Sequence, residues 1–448
     1  MQSLLLERAT GAILPLAYAT TITESLYASL AQSNRDYFPE NCHSAAINAL
    51  AIEEIESRYM LSGSGDSSIK LWDLADVPEG EEKYTPIASI PRKAAHNFGV
   101  SAVQWWKQDT GMFFTASFDH TVKVWDTNSL EVVHTFDLNN RVYAIDVNGA
   151  QINAHLSQAL IAAASDQPFI RLLDIRASSS AHTLPGHKGK TIAVSWHPQN
   201  PYLLASGGHD GEAKVWDIRR SKSCLARLDM TKTNTRPASI DALNLGSTSI
   251  KAHLGPVNAV VWDRLGHILY TAGNDDKVRV WDMTSTTSPP VNKLINFGPL
   301  TRNKYLQTLP MILSPRTETE TQYLLFSSDS GYILVFRAID GKLVLRLLRR
   351  GSKNTVRATS LAYAGNFSAM YYSGCQDGDI VAWRGEGVKE ELMQYGTVAR
   401  DAPAEKNSNI EEEETAVKLT LEDLYDDPYF QMHHKSDPTL NPTDHSQE

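Results

Sequence analysis

Cysteine is scarce in this sequence, and its three cysteines lie far apart. Only Cys42, Cys224 and Cys375 occur among 448 residues. A disulfide framework or a cysteine zinc site needs cysteines at short, paired spacings. The sequence therefore argues against both and indicates a reducing compartment. Runs of about 18 uncharged apolar residues, which membrane-spanning helices need, are missing too, so we expect no membrane segment.

Motifs of catalysis are also missing. The sequence has no phosphate loop, no nucleophile elbow, no HExxH and no CxxC pair. A basic footprint for nucleic acid is absent, because the formal net charge is −10 and residues 385–448 hold 16 acidic and 5 basic side chains. We therefore predict a protein that is not an enzyme, needs no cofactor or metal, and does not read nucleic-acid sequence directly.

A repeated pattern defines the fold. Each copy has a strand of small residues, a turn with aspartate, and a strand that ends at tryptophan and usually a further aspartate. Five clear copies are Leu61–Asp73, Phe114–Asp126, Ala205–Asp217, Tyr270–Asp282 and Tyr372–Trp383. Two degenerate copies, Ala162–Asp174 and Leu325–Phe336, carry Leu173 and Phe336 at the tryptophan position. Seven copies at spacings of 43 to 65 residues predict an all-β, seven-bladed WD-repeat β-propeller. We expect the outer strand of the last blade to come from upstream of His43, because a ring of blades otherwise leaves one unpaired edge.

Histidine, hydroxyl, aspartate and tryptophan side chains recur together in the repeats. A hydrogen-bonded chain through the four groups would satisfy each of them when buried. An active site is normally unique, whereas these sets recur, so we interpret them as structural tetrads and not as catalytic or metal sites. The predicted tetrads are His96, Thr115, Asp119 and Trp125; His187, Ser206, Asp210 and Trp216; and His253, Thr271, Asp275 and Trp281.

Two arginines follow third strands of neighbouring repeats. Arg219 lies two residues after Asp217, and Arg176 lies two residues after Asp174. Antiparallel strands place these loops on one side of the disc, so the arginines should lie close together. Arginine is suited to a bidentate hold on a partner's acidic or carbonyl groups. The alternative is an exposed arginine paired with its own blade's aspartate.

The chain divides into three parts. Residues 1–40 form a predicted helical docking segment, residues 41–384 the propeller with a polar insertion at 229–250, and residues 385–448 a mostly disordered acidic tail. Gly11 and Pro15 are expected to break any helix, which leaves a short helix in the first ten residues and a second over 21–31. The segment either docks on a partner or folds back on the disc.

Longer stretches resemble the Cockayne syndrome group A family, WD-repeat proteins of transcription-coupled DNA repair. They are Ile47–Leu74, Val103–Leu130 and Gly186–Ser221, together with Glu7–Gly11 near the start. The resemblance covers residues 1–383 and becomes loose in the last two repeats.

The resemblance implies a nuclear, non-enzymatic substrate receptor of a cullin-RING ubiquitin ligase in transcription-coupled nucleotide excision repair. It implies docking on the ligase's propeller adaptor, the large damaged-DNA-binding subunit, and presentation of the group B ATPase and stalled RNA polymerase II. The implied adaptor-binding residues are Arg219, Arg176, Asp217, Leu4, Leu5, Leu6, Ile13 and Leu14. The alternative is a general WD-repeat scaffold, such as a histone-binding or chromatin complex subunit, which needs no such adaptor.

Overall fold

Strands form nearly all of the regular structure. The computed structural model describes residues 6, 8–33, 38–75, 84–149, 159–220, 224–233, 250–284, 290–316, 321–350, 355–365 and 369–385. Leu4, Leu5, most of the insertion 229–250 and nearly all of the predicted tail 385–448 lie outside these residues. No helix within these ranges is long and apolar enough to cross a membrane.

The described strands form seven antiparallel sheets of four strands each, which are the blades. The first blade contains β2 (Ile47–Ile52), β3 (Tyr59–Ser64), β4 (Ile69–Asp73) and β5 (Pro86–Ile90). The second contains β6 (Val100–Trp105), β7 (Met112–Ser117), β8 (Thr121–Asp126) and β9 (Val132–Asp137). The third contains β10 (Val142–Val147), β11 (Leu160–Ser165), β12 (Phe169–Asp174) and β13 (Ser179–Pro185).

The remaining blades follow the same order. The fourth contains β14 (Thr191–Trp196), β15 (Leu203–Gly208), β16 (Ala213–Asp217) and β17 (Cys224–Arg227). The fifth contains β18 (Val257–Trp262), β19 (Ile268–Gly273), β20 (Lys277–Asp282) and β21 (Val291–Asn292). The sixth contains β22 (Met311–Leu313), β23 (Tyr323–Ser327), β24 (Ile333–Arg337) and β25 (Leu343–Leu347). The seventh contains β26 (Ala358–Tyr363), β27 (Met370–Cys375) and β28 (Ile380–Gly385), with β1 (Leu30–Gln32) at its outer edge.

Strand β1 closes the ring, as the sequence predicts. Leu30, Ala31 and Gln32 pair antiparallel with Gly385, Arg384 and Trp383. The first strands of successive blades pack side by side around the central channel, and β26 of the seventh blade meets β2 of the first. The N-terminal strand therefore covers an edge that would otherwise remain unpaired.

A helix, α1 (Pro15–Ala28), directly precedes β1, and its bounds correct our prediction for the second helix. We expected Pro15 to break a helix and a second helix to run from 21 to 31. Proline instead occupies the first turn, where its missing N–H costs nothing. The helix ends before residue 30 because Leu30–Gln32 joins the seventh blade.

Two faces of the disc are distinguished by their loops. Loops from first to second and from third to fourth strands emerge on one side, which we call the arginine face because Arg176 and Arg219 lie there. Loops from second to third strands and between blades emerge on the other side. We call that side the tetrad face, because the histidines and turn aspartates of the tetrads lie there.

Tyr27 anchors α1 between the last two blades. Its fully buried ring stacks on Tyr323 with centroids 4.2 Å apart, and its hydroxyl lies 2.6 Å from that of Tyr371. Tyr27→Ala should lower the free energy of unfolding by about 3–5 kcal/mol, because it removes a fully packed aromatic ring. Urea denaturation measures this, with Leu16→Ala, at an exposed site of the same helix, as the control. Equal stability of the two variants would contradict the proposed anchor.

Candidate protein-docking site

The predicted tetrads lie between the blades' second and third strands. In the second blade, the Trp125 indole donates to Thr115 Oγ1 at 2.8 Å, and Thr115 Oγ1 lies 2.7 Å from His96 Nε2. His96 Nδ1 lies 2.9 Å from an Asp119 carboxylate oxygen. Because the hydroxyl already accepts from the indole, its proton is free to bind Nε2, which leaves the imidazole proton on Nδ1 for the aspartate.

The same chain of contacts recurs in the fourth and fifth blades. Trp216 donates to Ser206, which contacts His187, and His187 contacts Asp210. The fifth-blade set has the same order, from Trp281 through Thr271 and His253 to Asp275. The structure thus brings together all twelve predicted tetrad residues, in three separate sets.

The first blade uses a variant of this network. His43 Nε2 lies 2.7 Å from Ser62, which accepts from the Trp72 indole at 2.9 Å. His43 Nδ1 contacts the Ser68 hydroxyl at 2.9 Å, and that hydroxyl donates to Asp66 at 2.5 Å. A serine therefore links histidine and aspartate here.

A fifth group in these networks was missed by our sequence reasoning. The residue two before the tryptophan is basic in the four blades that carry the histidine: Lys70, Lys123, Lys214 and Arg279. Each lysine donates to the backbone carbonyl just before its histidine, as Lys123 does to Ala95 at 2.6 Å. Arg279 contacts both the aspartate and the histidine. The recurring letters KLW, KVW and RVW were the available signal.

The tetrad aspartates stay ionised in the fold. Burial alone would raise the pKa of the Asp210 carboxyl, but hydrogen bonds from His187 and from the Lys188 and Glu212 amides outweigh it and lower the pKa to about 2. The pKa values of Asp119 and Asp275 are lowered in the same way. These carboxylates therefore act as fixed acceptors, a structural role.

Arg219 is held by its own blade. Its Nε and one terminal nitrogen each donate to Asp217 at 3.0 Å, and its guanidinium lies 4.5 Å from the centre of the Tyr202 ring. The Arg219 side chain is 56% exposed, whereas Asp217 is 5% exposed. This arginine keeps the pKa of Asp217 below its usual range. In the unbound chain, Arg219 therefore pairs with the aspartate of its own blade, which was the alternative interpretation. One face of its guanidinium is still open to solvent.

Arg176 lies on the adjacent blade. Its backbone N–H donates to Asp174 at 2.9 Å, and its side chain is exposed. It lines an open cleft of about 300 Å³ between the third and fourth blades, with apolar walls from Leu160, Leu172 and Ile218. Ile218, which lines the cleft, directly precedes Arg219, whose own guanidinium contacts Asp217 and the Tyr202 ring.

The N-terminal residues lie elsewhere on this face. Helix α1 packs on the sixth and seventh blades, where Glu24 pairs with Arg337 at 3.1 Å and Leu26 lies against Gly385. The arginines lie on the third and fourth blades, across the ring. Of the apolar residues predicted to dock, Leu6 is 66% and Leu14 73% exposed, and Ile13 is half-buried.

Metal-ligating side chains do not cluster in the part of the chain that the structure describes. Within the ranges given above, no group of three or more His, Cys, Asp and Glu side chains could hold a metal ion. The channel opens on the arginine face into a cavity of about 840 Å³ whose lining includes Glu53, Lys107, His197 and Arg264. The Glu53 carboxylate accepts three backbone N–H groups and so fixes a loop.

A family model described as "WD domain, G-beta repeat" matches residues 38–73, 86–126, 178–217 and 246–282. The four matches end at the last residues of β4, β8, β16 and β20, the strands that carry the tryptophans of the histidine-containing networks. Fold, networks and matches together define the chain as a WD-repeat protein built on a seven-bladed β-propeller.

Three relatives show how far the similarity reaches. "WD repeat-containing protein ATCSA-1" of Arabidopsis thaliana is 28% identical over 88% of this chain and 97% of its own length. "Radiation-sensitive protein 28" of Saccharomyces cerevisiae is 28% identical over 64% of the chain and 56% of its own length. "Ribosome biogenesis protein YTM1" of Chaetomium thermophilum is 28% identical over 53% of each. The chain thus spans about half the length of the last two.

These relatives correct one prediction. The assignment to the Cockayne syndrome group A family is wrong as a family assignment, because three differently named proteins share the same 28% identity. The shared pattern supports WD repeats and does not select one family among them.

The tetrads generate a stability prediction. Asp210→Ala should lower the free energy of unfolding by about 2–4 kcal/mol, because it leaves His187 and two backbone N–H groups unpaired in a buried site. Asp166→Ala is the matched control, because this turn aspartate of the third blade is exposed. Thermal unfolding measures both variants. An unchanged melting temperature for Asp210→Ala, with a binding function lost, would show that the tetrad is a functional site.

Acid should destabilise the propeller through these carboxylates. Their pKa values are lower in the folded chain than the ordinary 3.8, so the stability they contribute is complete above about pH 4 and is lost as the pH falls towards 2. Urea denaturation across this range should give a steeper pH dependence for the wild type than for Asp210→Asn. Parallel curves would contradict the assignment to Asp210.

Proposed function

We propose that this chain is a non-enzymatic substrate-recognition subunit of a cullin-RING ubiquitin ligase, and that it acts in the nucleus in transcription-coupled nucleotide excision repair. Its arginine face would bind the ligase's propeller adaptor. The observation that carries the proposal is that Arg176 lines an apolar cleft between the third and fourth blades, and that Arg219, which follows the lining residue Ile218, is 56% exposed on the same face.

The geometry of Arg219 suits an interface. Asp217 and the Tyr202 ring hold the guanidinium in one orientation, so little side-chain entropy remains to be lost on binding. A partner's carboxylate or carbonyl would approach its open side, and covering the site would exclude water from an already paired charge. Interface hot spots are commonly of this kind.

Exposed leucines offer a second contact region. Leu6, Leu14 and Leu16 all project into solvent, although α1 itself is anchored by Tyr27. They are separated from the arginine pair by the channel mouth, so a partner touching both would cover much of the arginine face. A propeller-sized adaptor is large enough to do so, and interfaces of that kind bury about 1,600 Å² or more.

The name of the yeast relative supports the repair context. The Arabidopsis relative aligns with this chain over nearly the whole of both proteins, and the yeast relative is named for radiation sensitivity. The stalled-polymerase partners and the group B ATPase remain part of the proposal and would be presented on the tetrad face.

A scaffold in ribosome biogenesis is the second candidate. It is favoured by the Chaetomium relative, whose name states that process and whose identity equals that of the others. A scaffold of that kind, or a histone-binding subunit, needs no cullin adaptor. Adaptor binding therefore separates these candidates from the ligase receptor.

The test is adaptor binding by purified full-length chain. Arg219→Ala should weaken the affinity about 30-fold or more, which corresponds to about 2–4 kcal/mol for a buried arginine in an interface. Biolayer interferometry with the purified adaptor measures the dissociation constant. Arg92→Ala, at an exposed arginine on the opposite face of the disc, is the matched control and should bind like the wild type.

A second variant tests the leucines separately. Leu14→Glu with Leu16→Glu should also reduce adaptor affinity, because it places charge in an apolar contact while leaving Tyr27 and the ring closure intact. Melting temperatures of all variants should match the wild type. Normal adaptor affinity in both Arg219→Ala and the leucine variant would reject the ligase-receptor proposal in favour of a scaffold.

A further inference from the structure

The part of the tetrad face that a partner can touch is mainly cationic. Its described loops carry eight exposed basic side chains: Arg92, Lys93, Arg141, Lys188, Lys277, Arg302, Lys304 and Arg350. The exposed acidic side chains of the same loops are Glu40, Asp137, Asp166 and Asp377. Exposed positive charge therefore outnumbers exposed negative charge on this face.

The tetrads are the cause of this imbalance. The turn aspartates Asp119, Asp210 and Asp275 are between 5% and 8% exposed because they bind histidines and backbone N–H groups below the surface. The sixth blade follows the same rule, with Asp329 bound by Arg357 at 3.0 Å. The fold thus buries most carboxylates of this face and leaves lysines and arginines of the connecting loops in solvent.

One basic and aromatic patch lies on the second to fourth blades. The Tyr143 hydroxyl donates to Asp166 at 2.7 Å, and Lys190 Nζ lies 3.4 Å from that hydroxyl. Phe118 packs edge-on against Tyr143 at 5.9 Å between centroids, and Arg141 lies two residues before Tyr143. We call these residues the Tyr143 patch.

A second patch lies across the ring. Tyr305 is 58% exposed, and the Arg357 guanidinium lies 4.7 Å from the centre of its ring. Lys304 and Arg302, both exposed, precede it in the loop between the fifth and sixth blades. The Lys304 backbone N–H binds Asp329, which fixes the loop. We call these residues the Tyr305 patch.

The two patches border one opening. The channel mouth on the tetrad face is lined by Phe118 and Tyr143 from one side and by Gln307 and Arg357 from the other. We propose that the tetrad face binds a linear acidic peptide with aromatic or aliphatic side chains, laid across this mouth from the Tyr143 patch to the Tyr305 patch. Its carboxylates would pair with the exposed lysines and arginines, and its apolar side chains would pack on Phe118 and Tyr305.

An acidic peptide fits this surface better than nucleic acid does. Asp166 lies at the centre of the Tyr143 patch, and a phosphate backbone with a charge at every step would be repelled there. A peptide can place a carboxylate beside each cation and a neutral side chain or backbone N–H beside Asp166. Mixed charge with exposed aromatic rings is typical of peptide-binding surfaces.

This inference goes beyond the proposed function and does not depend on it. Adaptor docking uses the arginine face, on the opposite side of the disc. Peptide binding on the tetrad face can therefore fail while adaptor binding persists, and the reverse also holds.

The test uses a fluorescein-labelled synthetic peptide of aspartate and glutamate pairs separated by single tyrosine, phenylalanine and leucine residues. Fluorescence polarisation with the full-length chain should give a dissociation constant in the micromolar range, and the affinity should fall as salt is added. Lys188→Glu with Lys190→Glu should weaken binding about tenfold or more. Arg302→Glu with Lys304→Glu should do the same from the other patch.

Control variants distinguish binding at the proposed site from general charge attraction. Arg220→Glu with Arg264→Glu makes the same charge change on the arginine face and should leave peptide affinity unchanged. A peptide with asparagine and glutamine in place of the acids should not bind. Equal loss in all three double variants, tighter binding of single-stranded DNA, or no peptide binding by the folded wild type would each overturn the proposal.

Discussion

The hydrogen-bonded chain from tryptophan to aspartate is the interaction on which the rest of the structure depends. It joins the second and third strands of a blade to the loop that arrives from the blade before, so it fixes each blade and its junction together. The aspartate accepts these bonds as a carboxylate, because hydrogen bonds from the histidine and from backbone N–H groups keep its pKa low despite burial. The basic residue two before each tryptophan ties down the same loop at its backbone.

This arrangement decides what each face offers to a partner. On the tetrad face most carboxylates are buried in the networks, and exposed lysines and arginines remain. On the arginine face the corresponding aspartates end the third strands, and Asp217 fixes Arg219 instead of a histidine. The two faces therefore differ in charge and shape although one repeat generates both, and each can bind a different partner.

Much of the fold follows from the sequence because repeats constrain each other. The seven copies, the three tetrads and the N-terminal closing strand were all predicted, since a ring of blades leaves few alternatives. The predicted bounds of α1 were wrong, because a proline that ends one helix is equally suited to begin another. The helix ends where it does because Leu30–Gln32 pairs with the seventh blade, which the sequence pattern alone does not show. The pairing of Arg219 with Asp217 was left open because an arginine two residues after an aspartate can bind either that aspartate or a partner protein. Lys123 and its counterparts were missed because a basic residue in a strand is usually read as solvent-facing.

We propose above all that the arginine face binds the propeller adaptor of a cullin-RING ligase. Its most direct test is quantitative mass spectrometry of proteins co-purified with the tagged full-length chain from nuclear extract at physiological salt. We expect recovery of the adaptor and its cullin in amounts comparable to the chain itself. Recovery of ribosome-assembly proteins in those amounts, with adaptor and cullin at background, would contradict it.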